Sequence, residues 1–302
     1  MSARILVVDD ILANRRLMQA KLEAKYYSVL LAENGKIALE MAEVEQPEII
    51  LLDVMMPGMD GYEVCKRLKA NTATSHIPVV MLTALNETSD RVRGLAAGAD
   101  DFLTKPVDDF ALMSRIGALN RYNAVALELR KREASGQQSG ALTDDESQVL
   151  ERGANILVVD TSPSTIRDIR QPLTDAGHRV MSLQEAESTP ATQKKPLDIV
   201  LLALSHQPYD PLRLCAHFRA SDATRAVSII VMADERDKEM VAQALDLGAC
   251  DVISTPVVPE EVVARVATQT RRARYIEILR QRVDKGLELS VVDQLTGLYN
   301  RR

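Results

Sequence analysis

The sequence predicts an α/β fold built twice: two tandem domains, each a five-stranded parallel sheet with helices on both faces. Three observations carry this reading. The chain repeats itself once, short aliphatic runs alternate with amphipathic stretches, and the runs Ile5–Val8 and Ile49–Leu52 are continuously apolar, as central strands buried on both faces require.

The repeat is read in three places. Ile5-Leu6-Val7-Val8-Asp9 returns as Ile156-Leu157-Val158-Val159-Asp160, Ile49-Ile50-Leu51-Leu52 as Ile199-Val200-Leu201-Leu202, and Gly98-Ala99 through Pro106 as Gly248-Ala249 through Pro256. The offset is 151 residues at the first match and 150 at the others, which is a duplicated domain and not a solenoid unit. In the first copy the strands are expected at residues 4–8, 27–31, 49–53, 78–83 and 101–104. Helical spacing of apolar residues marks 12–25, 34–45, 61–70 and 87–97. Gly98 and Gly248 stand where a helix needs a left-handed stop before the last strand. Residues 136–153 are small and polar and read as a linker, dividing the chain into domains at 1–135 and 154–270. A connecting helix is expected over 271–292. Ile276, Leu279 and Val283 give it one sticky face, while Gly286 and Asp293 interrupt any sustained heptad.

Composition narrows the function. A net charge of −6, 3% aromatic residues and no tryptophan argue against a nucleic-acid or anionic-membrane binder. The apolar runs are too short to span a bilayer, and the first residues lack the pattern of a secretory signal. Cys65, Cys215 and Cys250 are widely spaced with no Cys-x-x-Cys pair, and the four histidines form no ligand pattern. A reducing cytoplasm is the expected location.

In a doubly wound sheet, functional groups gather at the carboxyl ends of the strands. Asp9 and Asp10 end the first strand, Asp53 the third and Thr83 the fourth, while Lys105 follows the fifth. Three carboxylates on one rim repel one another and invite a hard divalent cation such as Mg²⁺. A carboxylate beside that cation can attack phosphorus, with Thr83 and Lys105 holding the phosphoryl oxygens.

Val8-Asp9-Asp10, Leu52-Asp53-Val54-Met55-Met56-Pro57-Gly58-Met59-Asp60-Gly61, Leu82-Thr83-Ala84 and Leu103-Thr104-Lys105-Pro106 resemble the response-regulator receiver domains of two-component signalling, over residues 3–121. The resemblance implies two flavodoxin-like (CheY-like) domains, with Asp53 accepting a phosphoryl group from a histidine kinase or phosphotransfer protein. It implies Mg²⁺ on Asp9, Asp10, Asp53 and the Met55 carbonyl, phosphoryl contacts from Thr83 and Lys105, and Phe102 as an aromatic switch. It also implies a cis Lys105–Pro106 bond.

The second copy has lost this chemistry. Asp160 persists, but the positions of Asp10, Asp53, Thr83 and Lys105 hold Thr161, Ala203, Ala233 and Thr255. It reads as an adaptor body, and His206 near its rim reads as a surface residue. The chain closes on Asp293-Gln294-Leu295-Thr296-Gly297-Leu298-Tyr299-Asn300-Arg301-Arg302, similar to the opening of GGDEF diguanylate cyclase domains. Receiver, degenerate receiver, connecting helix and this opening together resemble PleD-type response regulators, here cut at the start of the GGDEF domain. That family condenses two GTP into cyclic di-GMP with Mg²⁺ or Mn²⁺. No cyclase activity is expected of these 302 residues, which hold no GTP site. Phosphorylation is expected to promote a homodimer, with Tyr26 and Tyr27 as interface candidates. The alternatives are a phosphate sink or scaffold, a regulator with another output such as DNA binding, and a flavodoxin-like or acid-phosphatase enzyme.

Overall fold

In the computed structural model, the described residues are 3–84, 88–135, 143–188, 196–205, 207–234 and 236–291. The opening of the GGDEF resemblance and His206 lie outside them.

The first half forms β1 (Arg4–Val8), α1 (Leu12–Glu23), β2 (Ser28–Ala32), α2 (Gly35–Glu45), β3 (Ile49–Asp53), α3 (Gly61–Ala70), β4 (Val79–Thr83), α4 (Thr88–Ala96), β5 (Asp101–Thr104) and α5 (Asp109–Ser135). All strands are parallel, in the order β2-β1-β3-β4-β5. Successive side chains on a strand face opposite ways, so a run apolar at every position needs cover on both sides. Ile5, Val7, Ile49 and Leu51 pack with Leu22 of α1 and with Leu112 and Ile116 of α5. Leu6, Val8, Ile50 and Leu52 pack on the other face with Ala38 and Ala42 of α2 and Val64 and Leu68 of α3. Side-chain caps set two helix starts: Asn34 accepts from the Ile37 amide at 3.0 Å, and Asp60 from the Glu63 amide at 2.8 Å.

The second half repeats the plan with β6 (Asn155–Val159), α7 (Pro163–Asp175), β7 (Arg179–Ser182), α8 (Leu183–Ser188), β8 (Ile199–Ala203), α9 (Pro211–Ala220), β9 (Ser228–Ala233), α10 (Lys238–Asp246), β10 (Asp251–Ser254) and α11 (Pro259–Val291). Its sheet is again parallel, β7-β6-β8-β9-β10. Gly98 and Gly248 have φ of +92° and +104°, the left-handed stops that the sequence requires. Within the stretch read as a linker, Asp144–Glu151 forms a helix, α6, closed by a reciprocal capping box between Thr143 and Glu146.

The sticky face of the connecting helix is spent inside the chain. Helix α5 runs for 27 residues and α11 for 33, and Ala126, Ile276 and Leu279 bury together against Tyr122, Leu129 and Tyr275. Ala126 and Ile276, like Leu129 and Leu279, are equivalent positions of the repeat, so the two helices lie side by side in the same direction about a local pseudo-two-fold. Nearer the sheets the seam turns polar. Arg115 lies 3.0 Å from Asp101 and 2.6 Å from Asp251, while Arg265 lies 3.1 Å from Asp101 and 2.7 Å from Asp251. These four residues are again two repeat-related pairs. At the far end Arg282 pairs with Glu133 of α5 at 2.7 Å and with Glu146 of α6. No helix among the described residues is long and apolar enough to cross a membrane.

Candidate functional site

Register brings the acidic residues to one rim. Val8 pairs with Leu52, Asp53 with Leu82 and Thr83 with Thr104, so the chain emerges from four parallel strands at one level. Gly61 lets α3 start directly against the end of β3, because a Cβ there would meet Val54 Cα at 2.8 Å.

Asp9, Asp53 and Thr83 are buried, and Asp10 is half-buried at the mouth. Lys105 reaches back across the rim, its Nζ donating to Asp9 Oδ2 at 2.8 Å and lying 2.9 Å from Asp53 Oδ1. Asp9 also accepts from the Ile11 amide at 2.9 Å and from Asn14 Nδ2 at 3.1 Å to each oxygen. The Met55 amide donates to Asp53 Oδ1 at 3.4 Å. The Met55 side chain is exposed, so its backbone alone serves the rim.

Burial pushes the Asp53 carboxyl above the ordinary aspartate range. The hydrogen bond and charge of Lys105 oppose that rise, and the Asp9 charge reinforces it. Burial works against the Lys105 ammonium, but its bonds to Asp9 and Asp53 outweigh it and hold its pKa above the usual lysine value. One oxygen of each of Asp9, Asp10 and Asp53 lies within 4.8 Å of the others. Three carboxylates faced by one ammonium leave a net negative, all-oxygen donor set, which fits a hard divalent cation such as Mg²⁺.

The structure thus brings together Asp9, Asp10, Asp53 and Lys105, with Thr83 at the neighbouring strand end. Phe102 sits apart on β5, half-buried beside Met81, with the Arg265 guanidinium of α11 over its ring at 4.6 Å. Both Lys105–Pro106 and its counterpart Thr255–Pro256 are cis.

The equivalent rim of the second half is closed by its own side chains. Gln207 donates from Nε2 to Asp160 Oδ1 at 3.0 Å, and its Oε1 accepts from the Thr161 hydroxyl at 3.0 Å. Ala203 and Ala233 present only methyl groups there.

Residues 5–117 and 156–267 each match the response regulator receiver domain family. The chain belongs to that family. As a whole it is 45% identical over 302 residues to the response regulator PleD of Caulobacter vibrioides, covering 100% of this chain and 66% of that protein. This receiver pair therefore spans just under two thirds of the length of that relative. It is 42% identical over 140 residues to the alkaline phosphatase synthesis transcriptional regulatory protein PhoP of Bacillus subtilis, covering 45% of this chain and 58% of that one. A solved receiver domain of a Francisella response regulator is 32% identical, covers 40% of this chain and 98% of its own, and superposes with a TM-score of 0.38. As in other receivers, the first domain carries an acidic rim of the two-component type.

Sequence reasoning missed Asn14, Gln207 and the Arg115–Arg265 pair. Asn14 gave no signal, since a polar residue early in a helix is ordinary. Arg115, Arg265, Asp101 and Asp251 did give one: both pairs obey the repeat offset, and a charged residue kept at equivalent places in both copies marks the face the copies share.

Proposed function

We propose that this chain is the phosphoacceptor and regulatory part of a diguanylate cyclase response regulator. The domain division at 1–135 and 154–270 belongs to this reading. The observation that supports it best is Asp53, buried at a strand end, with its Oδ1 taken by Lys105 and the Met55 amide. In phosphoryl transfer the other oxygen, Oδ2, bonds to phosphorus while the donor's P–N bond breaks and its histidine nitrogen takes up a proton. Mg²⁺ held by Asp9, Asp10, Asp53 and the Met55 carbonyl supplies charge neutralisation when bound. Lys105 moves from the carboxylate to the phosphoryl oxygens, and the Thr83 hydroxyl binds another of them. The second domain cannot take part, because Ala203 offers no nucleophile and Gln207 ties up the remaining carboxylate.

Phosphorylation replaces one negative charge by nearly two and adds strong acceptors. Drawing Thr83 and Lys105 inward repacks β5, where Phe102 lies under Arg265 of the helix that leads to the output. That repacking favours a homodimer and brings two cyclase domains face to face, each holding one GTP. Tyr26, exposed at the end of α1, is the candidate for such an interface, whereas Tyr27 is packed onto the core. Acetyl phosphate with Mg²⁺ should add one phosphoryl group by intact mass, absent in Asp53→Asn, and beryllofluoride should raise the dimer fraction in sedimentation. A label that survives in Asp53→Asn ends the phosphoacceptor reading; an unchanged monomer ends the dimer reading.

A further inference from the structure

Away from the acidic rim, a cavity of about 240 Å³ opens between the first receiver, α6 and α11. Its wall carries three cations, Lys69, Arg271 and Arg272, against one carboxylate, Asp100. Lys69 and Arg272 already share Asp100, each at 2.7 Å, so the carboxylate is fully used. Arg271 is exposed and has no ion pair or hydrogen bond among the described residues. His76 Nδ1 is a buried polar atom without a partner among them, and it lines the same cavity. Tyr122 and Tyr275 line the cavity as well and bring hydroxyl donors to it. An unpartnered polar atom and hydroxyl donors beside surplus positive charge are what a compact anion needs.

We propose that this cavity binds a small multivalent phosphate anion, which ties the Ser75–His76 loop of the first receiver to α11. The bonds run from the Arg271 guanidinium, the two tyrosine hydroxyls and the His76 ring to the phosphate oxygens. The His76 environment agrees: burial first, then the charges of Arg130 and Lys69, hold its pKa down to about 4. An anion in the cavity offsets those charges and lets the ring protonate more readily.

The test is a calorimetric titration of the full chain in EDTA, so that no cation bridges the ligand to the acidic rim. Inorganic pyrophosphate, inorganic phosphate and GTP are the three probes. Pyrophosphate is expected to bind one to one, about tenfold more weakly in Arg271→Gln and unchanged in Asp53→Asn. The His76 ring resonances should titrate at higher pH when it is bound. GTP binding more tightly than pyrophosphate would assign a nucleotide source, and the reverse order an inorganic one. No saturable binding of any probe overturns the proposal. So does binding that neither Arg271→Gln nor Tyr275→Phe weakens.

Discussion

Replacing Arg265 with methionine tests the polar seam that joins the receivers. The Arg265 side chain is 2% exposed and reaches Asp251 at 2.7 Å, Glu261 at 2.8 Å and Asp101 at 3.1 Å. Methionine keeps much of the stem volume, so the loss is one of charge. Three buried carboxylates would be left with Arg115 as their main counter-charge, and breaking a buried pair on one side costs about 3–5 kcal/mol. That corresponds to a melting temperature lower by about 6 °C or more.

The acid side of the stability profile gives an independent check. Burial alone would raise the Asp251 pKa, but Arg265 and then Arg115 overcome it and hold the group at about 2, against an ordinary 3.8. A depressed carboxylate stabilises the fold fully above its unfolded pKa, and this contribution fades as pH falls from 3.8 towards 2. In Arg265→Met the Asp251 pKa moves up, so part of that stabilisation is already missing at neutral pH and the acid limb is shallower. Urea unfolding followed by far-UV circular dichroism, from neutral pH down to the acid limb, reads both effects. A loss below about 1 kcal/mol, the range of surface pairs, with an unchanged acid limb would refute the reasoning.

Three further outcomes are expected. Gly61→Ala places a methyl against the Val54 backbone at 2.8 Å and shifts the end of β3, so acetyl phosphate labelling should slow more than tenfold, about 1.4 kcal/mol of barrier, with the fold retained by circular dichroism; wild-type labelling would contradict the close approach. Ala203→Asp alone should gain no second phosphoryl group by intact mass, because Gln207 already occupies Asp160 and Thr161; a doubly labelled protein would show that the plug does not matter. Lys105→Ala removes the one ammonium among three carboxylates, so calorimetry should find Mg²⁺ bound about tenfold more tightly while phosphorylation slows; weaker Mg²⁺ binding would show that Lys105 helps to build the site.

Most of the strands and the acidic rim were legible because their signals are local. A parallel strand covered on both faces must be apolar at every position, and a rim residue is the one that follows such a run. Asp9, Asp53, Thr83 and Lys105 were therefore placed by counting from strand ends. The duplicate copy made the loss at Ala203, Ala233 and Thr255 just as plain. The face shared by α5 and α11 was less legible. Its apolar positions are few, since Arg265, Gln269 and Arg272 fill the seam near the sheets, and hydropathy spacing treats such residues as solvent-facing.

Sequence alone determined the two sheets, their topology class and which copy keeps an aspartate at the end of its third strand, because burial period and residue chemistry are properties of short segments. Only the tertiary structure decided that α11 lies against α5, that Arg115 and Arg265 exchange carboxylates across the copies, and that Gln207 seals the second rim. Those facts depend on which distant side chains come within about 3 Å of one another, the reach of a hydrogen bond, and that distance is set by the packing of whole domains.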